Sequence, residues 1–261
     1  MTNPPVKCND ANCFSILSLN LRFGRADDGP NSWPFRKKAY PALLRAYPSD
    51  FYAFQEANDF QVDFLSEQLI GYGIIGERRP APDYWQSNVI YHHPRWRCLS
   101  HTHFYLSDTP DTPSQFKGSR WPRQCTMGTF QWRETVLTVI NTHFDFDTGV
   151  QRRSAALIVG RLEKQLHPYP ALLAGDFNAV PQSDAYKVFT SSTSGFRNVF
   201  EGAAYPGTYH GFGGAAEKEP IDWVLYRGPL ILERANVISD RYEGIYPSDH
   251  FPLIAAFRRA P

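Results

Sequence analysis

The chain has 261 residues, 42% of them hydrophobic and 15% aromatic, enough for one substantial core at a length where single domains are ordinary. Twenty-seven basic residues against 26 acidic ones leave a formal net charge of +1, which argues against a protein that coats long nucleic acid by bulk electrostatics and leaves room for a local basic rim. No apolar run approaches the ~20 residues that span a bilayer, and no apolar leader core precedes Cys8. The expectation is a soluble, cytoplasmic protein with a polar, mobile tail over residues 1–13, containing Pro4 and Pro5, and one domain over residues 14–261.

In chain order, short apolar runs of strand length end repeatedly on polar residues that a structural strand does not require. Phe14-Ser15-Ile16-Leu17-Ser18-Leu19 ends on Asn20, and Arg22, two residues on, should share its face. A helix is expected over residues 37–47, with a late start or kink at Pro41. The run Phe51-Tyr52-Ala53-Phe54-Gln55 closes on Glu56, and a second helix follows over residues 59–69. Val136-Leu137-Thr138-Val139-Ile140 leads into Asn141-Thr142-His143-Phe144-Asp145. Ala155, Ile158, Leu162 and Leu166 recur at helical spacing, marking a third helix over residues 150–166.

Pro170-Ala171-Leu172-Leu173 runs into Ala174-Gly175-Asp176-Phe177-Asn178. A carboxylate and an amide two residues apart at a strand end point the same way and can share one reacting atom, although Gly, Asp and Asn are equally turn residues. A short helix is expected after Ser183, and two further polar clusters follow, Ile221-Asp222-Trp223 and Ser248-Asp249-His250. Six such clusters spaced over the chain point to one assembled site. The alternation of strand runs with few helices suits two sheets packed face to face and flanked by helices.

Other features are structural in this reading. His92-His93 and the pair His101 and His103 have no third or fourth ligand near in sequence. Cys8, Cys13, Cys98 and Cys125 lack paired zinc spacing and read as reduced thiols, with a Cys8 to Cys13 bridge as the alternative. Four loops rich in Gly, Pro and polar residues, at 24–34, 77–86, 109–123 and 202–220, are the segments expected to set substrate choice.

The ordered series Asn20, Gln55-Glu56, Asn141-Thr142-His143, Gly175-Asp176-Phe177-Asn178, Ile221-Asp222 and Ser248-Asp249-His250 resembles the endonuclease/exonuclease/phosphatase superfamily of metal-dependent phosphoesterases, over nearly all of residues 14–257. The resemblance implies a four-layer α/β sandwich, two packed and mainly antiparallel sheets flanked by helices, with the strand ends gathered at one rim. It implies Glu56 as the primary ligand of Mg²⁺, or of Mn²⁺ in its place, with Asn20 and Asp249 close to the metal and Asp222 paired to His250. Hard cations of this kind prefer carboxylate oxygens and keep several waters. Asp176 would orient or deprotonate the attacking water, and Asn178 would donate to the phosphoryl oxygen or the nucleophile. His143 and His250, as protonated imidazoles, would bind phosphate or assist the leaving group.

One departure concerns His143. Relatives often carry a glutamate shortly before the position of Tyr91, where this chain has Trp85-Gln86-Ser87-Asn88. Gln86 and Asn88 are the candidates to substitute for it, but neither is charged, so His143 is expected to be less acidic or oriented by another group.

The Ile221-Asp222-Trp223 region lacks the cysteine and arginine of the inositol polyphosphate phosphatase signature, and no export signal or membrane-docking hairpin of the secreted sphingomyelinases is present. Asn20-Leu21-Arg22-Phe23-Gly24, the loop at residues 28–33 and Gly207-Thr208-Tyr209-His210-Gly211-Phe212 look similar to deadenylase-like bacterial members. Arg22, Trp33, Arg36, Arg123, Tyr209 and His210 are the candidates for substrate contact. The expected activity is a Mg²⁺-dependent phosphodiesterase or nuclease acting on a nucleotide or single-stranded nucleic acid. A phosphomonoesterase acting on a small sugar, lipid-headgroup or nucleotide phosphate is the alternative, an inactive scaffold is disfavoured, and no protein partner is expected.

Overall fold

Because side chains alternate across a strand, a strand buried on both faces must feed two different cores. Strand β1 (Cys13–Asn20) does so in the computed structural model, which describes residues 12–165 and 169–260. Phe14 and Ile16 enter one core, while Leu17 and Leu19 enter another. The first sheet joins β1 to β2 (Phe51–Ala57), β3 (Gly73–Ile75), β4 (Ser87–His92), β11 (Leu230–Val237) and β12 (Leu253–Arg259), in the order β11-β12-β1-β2-β4-β3. The second comprises β5 (Arg97–Tyr105), β6 (Gln124–Trp132), β7 (Thr135–His143), β8 (Ala171–Asp176), β9 (Arg197–Asn198) and β10 (Asp222–Arg227), in the order β5-β6-β7-β8-β10-β9.

Each sheet is mixed and mainly antiparallel, its one parallel pair being β1 with β2 in the first and β7 with β8 in the second. The central core lies between the sheets, where Phe14, Phe51 and Phe257 meet Phe130, Leu172 and Val224. Helices α2 (Tyr40–Ala46) and α3 (Asp59–Gln68) cover the outer face of the first sheet through Leu43, Val62 and Leu65. Helices α4 (Thr148–Glu163) and α5 (Asp184–Thr190) cover the second through Ile158, Leu162 and Phe189. Four layers result, as expected.

Local chemistry sets the element ends. Pro41 stands in the first turn of α2, where its missing N–H has no helical partner to lose, and a short extra helix, α1 (Trp33–Arg36), precedes it. Asp147 caps α4 by accepting from Val150 N at 2.8 Å. Leu166, expected to close that helix, and Cys8 lie outside the described residues. Cys13 is disulfide-bonded, which corrects the reading of four reduced thiols, while Cys98 and Cys125 are free. Cys13 also opens β1, so the expected tail boundary falls inside a strand. Among the described residues no helix is long and apolar enough to cross a membrane.

A polar seam stitches the sheets together behind one rim. Gln55 Nε2 donates to Asn141 Oδ1 at 2.7 Å, and Asn141 Nδ2 donates to the carbonyls of Phe54 and Val89 at 2.9 and 2.8 Å. The glutamine and asparagine that precede Glu56 and His143 in their motifs therefore hold the two sheets in register.

Candidate active site

Strand parity brings the expected residues to one rim. Asn20 shares its face with Phe14 and Ile16, His143 with Leu137 and Val139, Asp176 with Leu172 and Ala174, and Asp222 with Val224 and Tyr226, all facing between the sheets. Register aligns three of them: His143 pairs with Asp176 across β7 and β8, and Asp176 with Asp222 across β8 and β10. The approach of β8 to β7 requires glycine at 175, because a Cβ there would lie 2.1 Å from the carbonyl oxygen of Thr142. Glu56 is out of alternation, and a β-bulge between Phe54 and Ala57 turns it towards the rim.

Backbone in the left-handed region concentrates here. Arg22, Glu56 and Asn178 have φ of 61°, 57° and 46°, a conformation uncommon for residues other than glycine and typical of sites whose surroundings impose it.

Asn20 organises the carboxylates. Its Nδ2 donates to Asp176 Oδ2 at 2.9 Å and to Glu56 Oε1 at 3.1 Å, while its Oδ1 accepts from Arg22 N at 2.8 Å. It presents its amide nitrogen rather than its oxygen towards Glu56. Glu56 Oε2 also accepts from Phe23 N at 2.5 Å. Asp249, buried, accepts from Ser248 Oγ at 3.1 Å and has Arg22 Nε 3.7 Å away, and Arg22 is held in turn by Asp28 at 2.8 Å.

His250 and His143 sit on either side of Asp176 in opposite protonation states. His250 Nδ1 donates to Asp222 Oδ2 at 2.8 Å, and its Nε2 lies 3.8 Å from Asp176 Oδ2. Burial alone would lower the imidazolium, but the Asp222 carboxylate, with Asp176 and Asp249 beyond it, raises it to about 10. Burial, reinforced by Asp222, pushes Asp176 up to about 7.

His143 Nδ1 lies 2.9 Å from Arg123 Nη1, and a guanidinium only donates, so Nδ1 accepts and the ring proton is assigned to Nε2, 3.4 Å from Asp176 Oδ2. Burial, then Arg123 and His250, hold its pKa well below the ordinary value. These effects favour the neutral form of His143, opposite in direction to the less acidic imidazole expected from the sequence. The partner replacing the absent glutamate is Arg123, not Gln86 or Asn88. Asn178 N donates to Asp176 Oδ1 at 2.9 Å, and its Nδ2 donates to Phe144 O at 3.0 Å and lies 3.1 Å from His143 Nε2.

The remaining sequence candidates separate. Arg22 and Arg123 line a cavity of about 550 Å³ that opens beside Glu56 and His143. Tyr209 is half-buried and pairs with His250 in an isolated bridge, its ring 5.1 Å from the imidazole. Trp33, Arg36 and His210 do not line this cavity and are held in packing of their own. Trp33 packs on Tyr40 and Phe64, and His210 stacks on Phe251 with centroids 4.0 Å apart. Arg36 is fully buried, donating to the carbonyls of Leu21 and Pro247 at 2.6 and 3.0 Å and of Arg22 at 2.9 Å. It is a strut beneath the rim. His92 and His103 are occupied by Trp96 O and Thr126 Oγ1.

Asp145 went unassigned in the sequence although it stands two residues after His143. Its Oδ2 accepts from Ser119 Oγ, Arg120 N and Trp121 N at 3.0, 2.8 and 3.1 Å, tying the loop that carries Arg123 to the end of β7.

The donor chemistry suits a hard divalent cation, with Glu56 and Asp249 supplying carboxylate oxygens at one rim. Asp176, Asp222 and His250 also bring ligand atoms within 4.8 Å of one another.

A profile of the endonuclease/exonuclease/phosphatase family matches residues 17–250. The chain belongs to this family. Its members are hydrolases that act on phosphate esters, and so is this protein. A family protein from Bacteroides vulgatus superimposes with a TM-score of 0.87 at 23% identity, covering 95% of this chain and 99% of that one. The mannosyl-6-phosphatase of Bacteroides thetaiotaomicron gives 0.86 at 25% identity, covering 94% and 99%. The human nocturnin catalytic domain, bound to a sulfate anion, gives 0.74 at 19% identity, covering 95% and 94%. No curated protein matches the sequence.

Proposed function

We propose that this family phosphoesterase is a Mg²⁺-dependent phosphodiesterase that hydrolyses a P–O bond with a water activated by Asp176. The observation that carries the reading is the opposed pair around Asp176: a charged His250 held by Asp222 on one side, a neutral His143 held by Arg123 on the other. Asp176, pushed up to about 7, is poised to take a proton from water near neutral pH. The water oxygen bonds to phosphorus, the ester P–O bond breaks, and the departing alkoxide takes a proton from solvent, to which Asp176 afterwards returns the one it took. His250 supplies positive charge to the phosphoryl oxygens, and Arg123 adds a second cation at the cavity wall. Asn178 adds an amide donor, and Asn20 fixes Asp176 relative to Glu56. Glu56 and Asp249 would hold the Mg²⁺, which when bound would supply charge neutralisation at the phosphate.

Three arginines, Arg22, Arg120 and Arg123, line the cavity, and their charge accommodates the monoanion of a diester as well as a dianion. The 25% identical mannosyl-6-phosphatase keeps a phosphomonoesterase as the second reading. Turnover of bis-p-nitrophenyl phosphate against p-nitrophenyl phosphate, each with Mg²⁺, Mn²⁺ or EDTA, separates the two. Metal-dependent cleavage of the diester supports the first reading, and cleavage of the monoester alone replaces it with the second.

A further inference from the structure

The large apolar side chains left in solvent are not scattered. Among the described residues six are exposed, and three of these, Tyr84 at 74%, Trp121 at 50% and Phe146 at 57%, line the one cavity of about 550 Å³ beside His143. They come from three separate chain segments, and the half-enclosed wall behind them includes buried Trp85. Exposed aromatic rings are unfavourable in water unless something covers them, and a cavity of this size is in the range of small-molecule sites.

The same wall carries the amide side chains of Gln86, Asn88 and Gln124 beside the rings. The only carboxylate on the cavity is Glu56, which faces the candidate metal position. A flat aromatic ring finds several stacking partners here, the exposed Tyr84, Trp121 and Phe146 and the buried Trp85. An in-line displacement sets the attacking and leaving oxygens on opposite sides of phosphorus. Glu56 lines this cavity and Asp176 does not, so it belongs to the leaving side.

We propose that this cavity is the subsite for the alcohol half of the ester, built for an aromatic ring, and that Asp145 is the residue that positions its wall. The proposal rests on the phosphoesterase reading above and adds the class of substrate. Asp145 is buried and bonds Arg120 N and Trp121 N, so it fixes the Trp121 ring relative to His143 two residues away.

The test measures binding apart from turnover. Benzylphosphonate and ethylphosphonate, which carry a phosphorus group with and without a ring and cannot be hydrolysed as esters, are titrated calorimetrically into the Mg²⁺-loaded protein. The wild-type chain should bind the ring compound at least about tenfold more tightly, and Trp121→Ala, Tyr84→Ala and Asp145→Asn should each reduce that preference severalfold. Because the readout is a ratio of two ligands on one preparation, a general loss of folded protein does not move it, and circular dichroism melting confirms that each variant is folded. Equal binding of the two compounds by wild type, or a preference that survives in all three variants, overturns the proposal. Ring preference in a protein that hydrolyses no phosphate ester would sink the proposed activity and leave the subsite standing.

Discussion

Replacing Asp222 with Asn keeps the shape of the side chain and its bond to His250 Nδ1 while removing the charge that holds the imidazole protonated. With Asp222 in place His250 titrates at about 10, so about 99% of it is charged at pH 8. An imidazole at its ordinary value of about 6.5 would be only about 3% charged at that pH, so turnover that depends on the cation should fall about thirtyfold at pH 8. At pH 5.5 most of the imidazole is charged in either case, and the variant should lose far less. The assay is kcat for bis-p-nitrophenyl phosphate from pH 5.5 to 9 with saturating Mg²⁺, where the variant should acquire an alkaline limb near 6.5. The sign of the stability effect is set by the same shift. A raised imidazole contributes stability that is fully present below about 6.5 and is lost as pH rises through about 10, so the melting temperature should differ most between wild type and variant on the acid side. A variant profile parallel to the wild-type one at every pH would refute the role given to the His250 charge.

Asp176→Ala should lower kcat by at least about a hundredfold, the usual scale for losing a catalytic base; near-normal turnover in a steady-state assay of the folded variant would contradict it. Arg36→Met leaves the carbonyls of Leu21 and Pro247 without their donor, while Arg22 O keeps Gln61 Nε2, and because each buried acceptor left alone costs roughly 1–3 kcal/mol, chemical denaturation should show a loss of about 2 kcal/mol or more. Retention of full stability would mean that water replaces the guanidinium. Gly175→Ala forces a Cβ to within 2.1 Å of the Thr142 oxygen and should both lower the melting temperature and impair turnover, since His143 and Asp176 lie on the strands pushed apart; wild-type behaviour in both measurements would show that β7 and β8 can separate freely.

Much of the site was legible because it obeys strand parity. Asn20, His143 and Asp176 each end an apolar run, and Asp222 opens one, on the face that also carries the run's inward-pointing residues, a pattern visible in one dimension. Glu56 was found by its motif although its geometry depends on a bulge that no periodicity reveals. The loop residues were harder. Trp33 and Arg36 have the composition of a nucleotide contact, yet the same residues pack as core and strut, and only tertiary contacts separate the two uses. The protonation of His143 depends on Arg123, 20 positions away and donating to it, so the motif named the imidazole without its charge. Tyr84, Trp121 and Phe146 lie in three loops, and nothing in the spacing of their positions shows that they meet at one cavity.

The central claim is that a metal-dependent site hydrolyses a phosphodiester through Asp176. Its most direct measurement is the hydrolysis of bis-p-nitrophenyl phosphate by wild type and by Asp176→Asn after EDTA treatment and again after addition of Mg²⁺. The account predicts no turnover after chelation, restoration by Mg²⁺ in wild type, and at least about a hundredfold less restored activity in the variant. Turnover that persists in EDTA, or equal restoration in the two proteins, would contradict it.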